Sequence, residues 1–213
     1  TVLRFAELCS RAGLPDGVLN VVPGVGADAG KALAEHPGIK KLDLTGGTPT
    51  GRIAAAAAGR NLAGVIMELG GKAPMVVFPD ADLDAVVNGA AFASFIASGQ
   101  TCIMGARLLV HESILEEVQA RFVAKAASIR CGPPQDMATQ MGPVISAAQL
   151  EKVRAFVDDA RKEGATVLTG GARPEGLDAS LEGGHYIAPT VIGDVSPDMQ
   201  VVQEEVFGPV VVV

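Results

Sequence analysis

Short apolar runs alternate with glycine-punctuated segments of helical spacing through the first half of the chain, and this rhythm limits the folds open to it. Val2, Leu3, Phe5, Ala6 and Leu8 give residues 1–14 the pattern of an amphipathic helix that Gly13 can stop. Residues 19–22 read as a short buried strand, and residues 28–36 as a helix with Ala29, Ala32 and Leu33 on one side, closed by Pro37-Gly38. A second strand spans 39–44. Thr48 can then cap, and Pro49 start, an alanine-rich helix ending near Gly59. Helix, strand, helix, strand, helix is the order of a parallel sheet with crossover helices, so the fold class is α/β.

The later chain continues this way. Strands are expected at 65–69, 74–78 and 107–110. Between them Asp80, Asp82 and Asp84 place negative charge at the start of a helix running to Ser98. Leu115, Val118, Phe122 and Ala126 mark the buried face of a helix over 113–129. After the break at Gly132-Pro133-Pro134, a helix is expected at 147–163, a strand at 165–168, a glycine-rich loop to Gly184 and a strand at 186–192.

Composition excludes several classes of function. With 48% hydrophobic residues, 19% charged and a net charge of −7, the chain has core-forming capacity and no basic cluster for a nucleic-acid backbone. No apolar stretch is long enough to span a bilayer, so no membrane partner is expected. Cys9, Cys102 and Cys131 are odd in number, far apart and without a Cys-x-x-Cys pair, which suggests neither disulfides nor a zinc site, and a reducing, cytoplasmic location is expected. His36, His111 and His185 are scattered, and no metal site is expected.

Two strings carry the chemistry. Glu68-Leu69-Gly70-Gly71-Lys72 closes an apolar strand with a carboxylate followed by two glycines, residues that allow backbone or ligand to approach closely. Gly99-Gln100-Thr101-Cys102 places a thiol in a short loop after a helix. An isolated cysteine is more often a small buried apolar residue, and a lone strand-end glutamate more often a capped or salt-bridged one. Together they offer a nucleophile and a general base. Cys9 and Cys131 have no companion motif and read as structural. The strings Gly24-Val25-Gly26 and 46–51 each lie between a strand and a helix, where a tight turn explains them nearly as well as phosphate binding. Lys72 is followed by Ala73, so the nucleoside-triphosphate loop pattern is absent.

These two strings, in this order and spacing and with Glu204-Glu205-Val206-Phe207-Gly208-Pro209 further on, resemble the aldehyde dehydrogenase superfamily along nearly the whole chain. The resemblance implies a Rossmann-like, three-layer fold truncated at both ends. It implies the rear of a dinucleotide-binding domain at 1–68 and an incomplete catalytic domain at 69–213. It further implies oxidation of an aldehyde to a carboxylic acid with NAD or NADP. Cys102 would attack the aldehyde, and Glu68, its pKa raised in an apolar pocket, would activate the water that hydrolyses the resulting thioester.

For the cofactor, the resemblance implies binding by Gly46, Gly47, Thr48, Gly51, Leu69, Glu205 and Phe207, with Glu205 on the nicotinamide ribose and Phe207 near the ring. Many members carry Ser where Gly47 stands, which removes a hydroxyl contact to the pyrophosphate. The Asn completing the family's oxyanion hole and the residues holding the adenosine ribose would precede Thr1. The full-length protein would be a homo-oligomer acting on a small aldehyde. Two other readings stay open: a non-catalytic binding or interaction fragment with the same fold, and a coenzyme A-acylating dehydrogenase, a branch that tends to lack the glutamate.

Overall fold

The computed structural model describes residues 1–213, which form two compact units, Thr1–Leu69 and Gly70–Val213. In the first unit, α1 (Val2–Arg11) is followed by a π turn (Gly26–Gly30) running into α2 (Lys31–Glu35). Then come β1 (Lys41–Gly46), α3 (Thr48–Arg60) and β2 (Gly64–Leu69). β1 and β2 pair in parallel, with α3 as the crossover between them. The alanines of α3 bury one side, Ala54, Ala57 and Ala58, because small side chains let the helix lie close to the strands.

Two expectations for this unit are corrected. Residues 19–22 form no strand, and Leu19 and Val22 are exposed, because no neighbouring strand of this chain takes their backbone hydrogen bonds. Gly47 rather than Thr48 is the N-cap of α3; Thr48 is its first helical residue and Pro49 lies in its first turn. The stripe of α1 is amphipathic as its spacing predicts, yet Val2, Leu3, Phe5 and Leu8 are exposed.

The second unit holds β3 (Ala73–Val77), α4 (Leu83–Phe95), β4 (Gly105–Val110), α5 (Leu115–Ala127), α6 (Ala147–Lys162), β5 (Thr166–Thr169), β6 (Thr190–Gly193), α7 (Gln200–Gln203) and β7 (Val210–Val212). Its five-stranded sheet has the order β3-β4-β7-β6-β5. The strands run parallel except β5, which is antiparallel to β6, so the sheet is mixed. β7 lies at the centre and is buried on both sides. Val211 packs with Phe95, Phe122 and Val118 of α4 and α5, while Val210 and Val212 pack with Val153, Phe156 and Val157 of α6. That gives three layers, helices on both faces of a sheet.

Negative charge stands at the start of α4 as the acidic run predicts, with Asp84 in its first turn, and Asp82 caps the helix by accepting hydrogen bonds from the backbone N–H groups of Asp84 and Ala85. The helix ends at Phe95, before the expected Ser98. β6 begins at Thr190 rather than at residue 186, since Pro189 has no N–H to offer a ladder.

Candidate active site

Parallel pairing brings two distant motifs of the first unit together. Glu68 lies opposite Thr45 and Leu69 opposite Gly46, so the ends of β1 and β2 and the start of α3 converge at the carboxyl edge of the sheet. This is where open α/β sheets receive ligands. Leu69 packs over α3: a Cβ at Gly51 would come within 2.6 Å of its Cδ2, so glycine is needed there for close approach. The side chain of Leu69 is therefore occupied by packing. No side chain caps α3, and a Cβ at Gly46 would meet nothing within 4 Å. Open space and uncapped first-turn N–H groups fit an anionic group such as a dinucleotide pyrophosphate. Glu68 is exposed, contrary to the expected apolar pocket, because alternate residues of β2 face away from the packed side.

In the second unit the thiol sits on a loop that is rigidly placed. Beyond α4, Ala97 and Ser98 adopt φ of 50° and 57° and Gly99 follows at 68°, three successive left-handed residues. Such backbone persists only where the surroundings hold it. The buried Ser98 hydroxyl donates to the carbonyls of Gly142 (2.9 Å) and Pro143 (3.3 Å). Gln100 accepts a hydrogen bond from the Ile145 N–H at 2.9 Å. A Cβ at Gly99 would collide with the backbone of Gly208 and Pro209.

Cys102 then emerges exposed in a turn. Thr101 accepts from the N–H groups of Ile103 and Met104, while the Cys102 N–H donates to no acceptor in the chain. An accessible sulfur beside an unengaged amide is what a nucleophile with an oxyanion donor requires. Cys131 differs, since burial pushes its thiol up to about 11.

The contact of Gly99 with Gly208 and Pro209 brings the thiol loop beside the segment carrying Glu205 and Phe207. Phe207 holds φ 56°, and the Gln149 side-chain amide donates to the carbonyls of Val206 (3.2 Å) and Phe207 (2.7 Å). Both Glu205 and Phe207 are half-buried. The Glu205 carboxylate accepts from the Gly71 N–H at 3.2 Å and occupies the space where a Gly70 side chain would project. Glu68, Leu69, Gly46, Gly47, Thr48 and Gly51 thus belong to the first unit, and Cys102, Glu205 and Phe207 to the second.

The aldehyde dehydrogenase family model matches residues 1–213. The chain belongs to the aldehyde dehydrogenase family. It is similar to the chloroplastic betaine aldehyde dehydrogenase of Beta vulgaris, 46% identical over all of this chain and 42% of the relative. Betaine aldehyde dehydrogenase of Rhizobium johnstonii is likewise 46% identical, over 99% of the chain and 42% of the relative. Among solved structures, betaine aldehyde dehydrogenase from Staphylococcus aureus in complex with NAD+ superposes with a TM-score of 0.95 at 36% identity, covering 99% of this chain and 41% of that one. PnpE from Pseudomonas sp. WBC-3 gives 0.95 at 47% identity, with 99% and 43% covered. The chain thus spans about 42% of the length of the curated relatives it matches. No helix is long and apolar enough to cross a membrane.

Ser98 braces the thiol loop and Gln149 the Val206-Phe207 segment, and motif reading missed both. Only the Gly-Gly pair hinted at what Gly70 does. Because the atom opposing a Gly70 side chain is the end of a flexible glutamate, Gly70→Ala is expected to change stability by less than about 1 kcal/mol. It should nevertheless displace the Glu205 carboxylate. Urea unfolding and the chemical shift of the Gly71 amide check the two halves of this expectation.

Proposed function

We propose that the protein oxidises an aldehyde to the carboxylic acid with NAD(P)+, with Cys102 as nucleophile and Glu68 as general base. The single observation that carries this reading is the exposed Cys102 on a braced loop, with its own N–H unengaged, in a chain that matches the aldehyde dehydrogenase family throughout. The Cys102 thiolate adds to the carbonyl carbon, forming a C–S bond and sending the π electrons to oxygen, where the Cys102 N–H donates a hydrogen bond. When bound, NAD(P)+ supplies the acceptor for the hydride that leaves the former carbonyl carbon, and a thioester remains on the cysteine. Glu68 takes a proton from water, the hydroxide adds to the thioester, and collapse expels the thiolate with the acid as product.

The residues that would hold the cofactor are Gly46, Gly47, Thr48 and Gly51 at the start of α3, Leu69 through its backbone, and Glu205 and Phe207. On this reading Thr1–Leu69 is the dinucleotide-binding side and Gly70–Val213 the thiol-bearing side. Self-association into a homo-oligomer in a reducing compartment belongs to the same proposal. The names of the relatives make betaine aldehyde the first substrate to try.

The test joins reactivity to turnover. Iodoacetamide near pH 8 should alkylate Cys102 well before Cys131, whose thiol is held protonated by burial. Aldehyde-dependent NAD(P)H absorbance should appear with release of free acid and without coenzyme A. Equal labelling of the three cysteines together with no NAD(P)H from an aldehyde panel would overturn the enzyme reading. Acid release only after coenzyme A addition would assign the acylating branch instead.

A further inference from the structure

The thiol loop and the segment carrying Glu205 and Phe207 meet where Gly99 lies against the backbone of Gly208 and Pro209. One point of contact leaves two loops free to turn about it. A single stretch of chain, residues 142–149, reaches both of them. At its start the carbonyls of Gly142 and Pro143 accept from the buried Ser98 hydroxyl at 2.9 and 3.3 Å, and the Ile145 N–H donates to the Gln100 side chain at 2.9 Å. At its end Gln149 donates to the carbonyls of Val206 and Phe207 at 3.2 and 2.7 Å. Between the two, Val144 is buried in the core and its N–H donates to the His185 carbonyl at 3.0 Å, which anchors the stretch to the body of the unit.

Helix stability does not account for the Gln149 contact. Ser146-Ala147-Ala148-Gln149 is the sequence of a capping box, in which the fourth side chain turns back to the N–H of the cap residue. Ser146 forms its half, accepting from the Gln149 N–H at 3.2 Å. The Gln149 amide crosses instead to carbonyls 57 and 58 positions away. Both ends of the stretch also serve left-handed backbone, Ala97 and Ser98 at one and Phe207 at the other, a conformation that residues other than glycine keep only where their surroundings hold it.

We propose that residues 142–149 are a positioning strap that fixes the Cys102 loop against the Glu205–Phe207 segment, the Ser98 hydroxyl anchoring it to the first and the Gln149 amide to the second. The inference rests on the reading of Cys102 as nucleophile and of Glu205 and Phe207 as cofactor contacts. Ser98 and Gln149 act through main-chain groups and are assigned no contact with substrate or cofactor. The carbon that the thiol attacks is the one that gives up its hydride, so the spacing of the two segments enters the rate of that step, and a misplacement of about 1 Å costs up to roughly a hundredfold.

Hydrogen exchange read by mass spectrometry tests the strap without cofactor. Gln149→Met keeps the reach of the side chain and removes its donors. It should speed exchange about tenfold in peptides covering residues 99–104, where the Gln100 and Met104 amides are hydrogen-bonded within the other loop. A peptide covering residues 118–126 of α5 should keep its wild-type rate, which separates release of the strap from a general loss of stability. Unchanged exchange over 99–104, or equal acceleration in both peptides, overturns the proposal.

Stopped-flow NADH formation in the full-length protein gives the second readout. Ser98→Ala and Gln149→Met should each slow the burst about tenfold, with the NAD+ affinity of Ser98→Ala unchanged by calorimetry. Ser98→Gly suits the left-handed backbone but lacks the hydroxyl, and it should be as slow as Ser98→Ala. The double variant should lie within about twofold of the slower single one, because a strap released at either end no longer positions. A double loss of about a hundredfold, the product of two independent effects, overturns the strap, as does a wild-type burst in Ser98→Gly. A burst that survives in Cys102→Ala removes the nucleophile from the reading beneath, whereas the exchange result decides the strap by itself.

Discussion

On the proposed mechanism, Cys102→Ala in the full-length protein is expected to reduce aldehyde oxidation to background, a loss of about five orders of magnitude or more, because no other group would form the covalent intermediate. Cys9 and Cys131 are half-buried, and the Cys131 thiol is pushed up to about 11, so neither replaces it. Glu68→Gln should behave differently. If the carboxylate serves only the hydrolytic step, one equivalent of NADH should still form in a rapid burst, while acid release slows by roughly a hundredfold or more. Stopped-flow absorbance separates the two steps. A Glu68→Gln protein with an unchanged steady-state rate would take the base out of the mechanism, and residual turnover in Cys102→Ala would take out the nucleophile.

The second large effect concerns the loop rather than the sulfur. Gly99→Ala should destabilise the protein by on the order of 3 kcal/mol, combining a side chain at left-handed φ with an overlap that has no easy escape. The φ of Gly99 is 68°, and the atoms a Cβ would meet are main-chain atoms of Gly208 and Pro209. Gly70→Ala is the informative contrast, since there the obstacle is a movable carboxylate. Urea midpoints for the two variants should therefore differ sharply. A Gly99→Ala change below about 1 kcal/mol would mean that the loop yields more readily than its contacts indicate.

What could be read from the residues alone followed from periodicity. The apolar faces of α5 and α6 repeat at helical spacing, and Val118, Phe122 and Ala126 are buried as that spacing predicts, whereas Leu115, in the first turn of α5, is exposed. Residues 19–22 have a strand's composition but depend on a neighbour for strand pairing, and composition does not encode the neighbour. β7 was not anticipated for the opposite reason: three consecutive valines have no alternation, because both sides of a central strand are buried. The antiparallel approach of β5 to β6 likewise depends on how a long glycine-rich connection returns.

The site divides in the same way. Cys102, Glu68, Glu205 and Phe207 stand in recognisable strings, and the spacing of the β1–β2 register makes the neighbourhood of Gly46 and Leu69 understandable afterwards. Ser98, Gln149 and Lys152 act through bonds to residues 44 to 58 positions away, and no local pattern reports such distances. The pocket expected around Glu68 came with the family resemblance, although its neighbours in the strand are apolar. In β2 those neighbours point the other way or are themselves exposed.

The central position of β7 has a consequence for how the second unit assembles. Val210–Val212 is the bridge between β4 and β6, so the β3–β4 pair and the β5–β6 pair have no edge in common before it arrives. On a ribosome, both halves emerge and wait with apolar faces uncovered until the valines are inserted, a non-local closure of the kind that folds slowly. During that interval the nascent unit is a natural client for a chaperone, and crowding or heat would act on it there before the finished sheet is challenged.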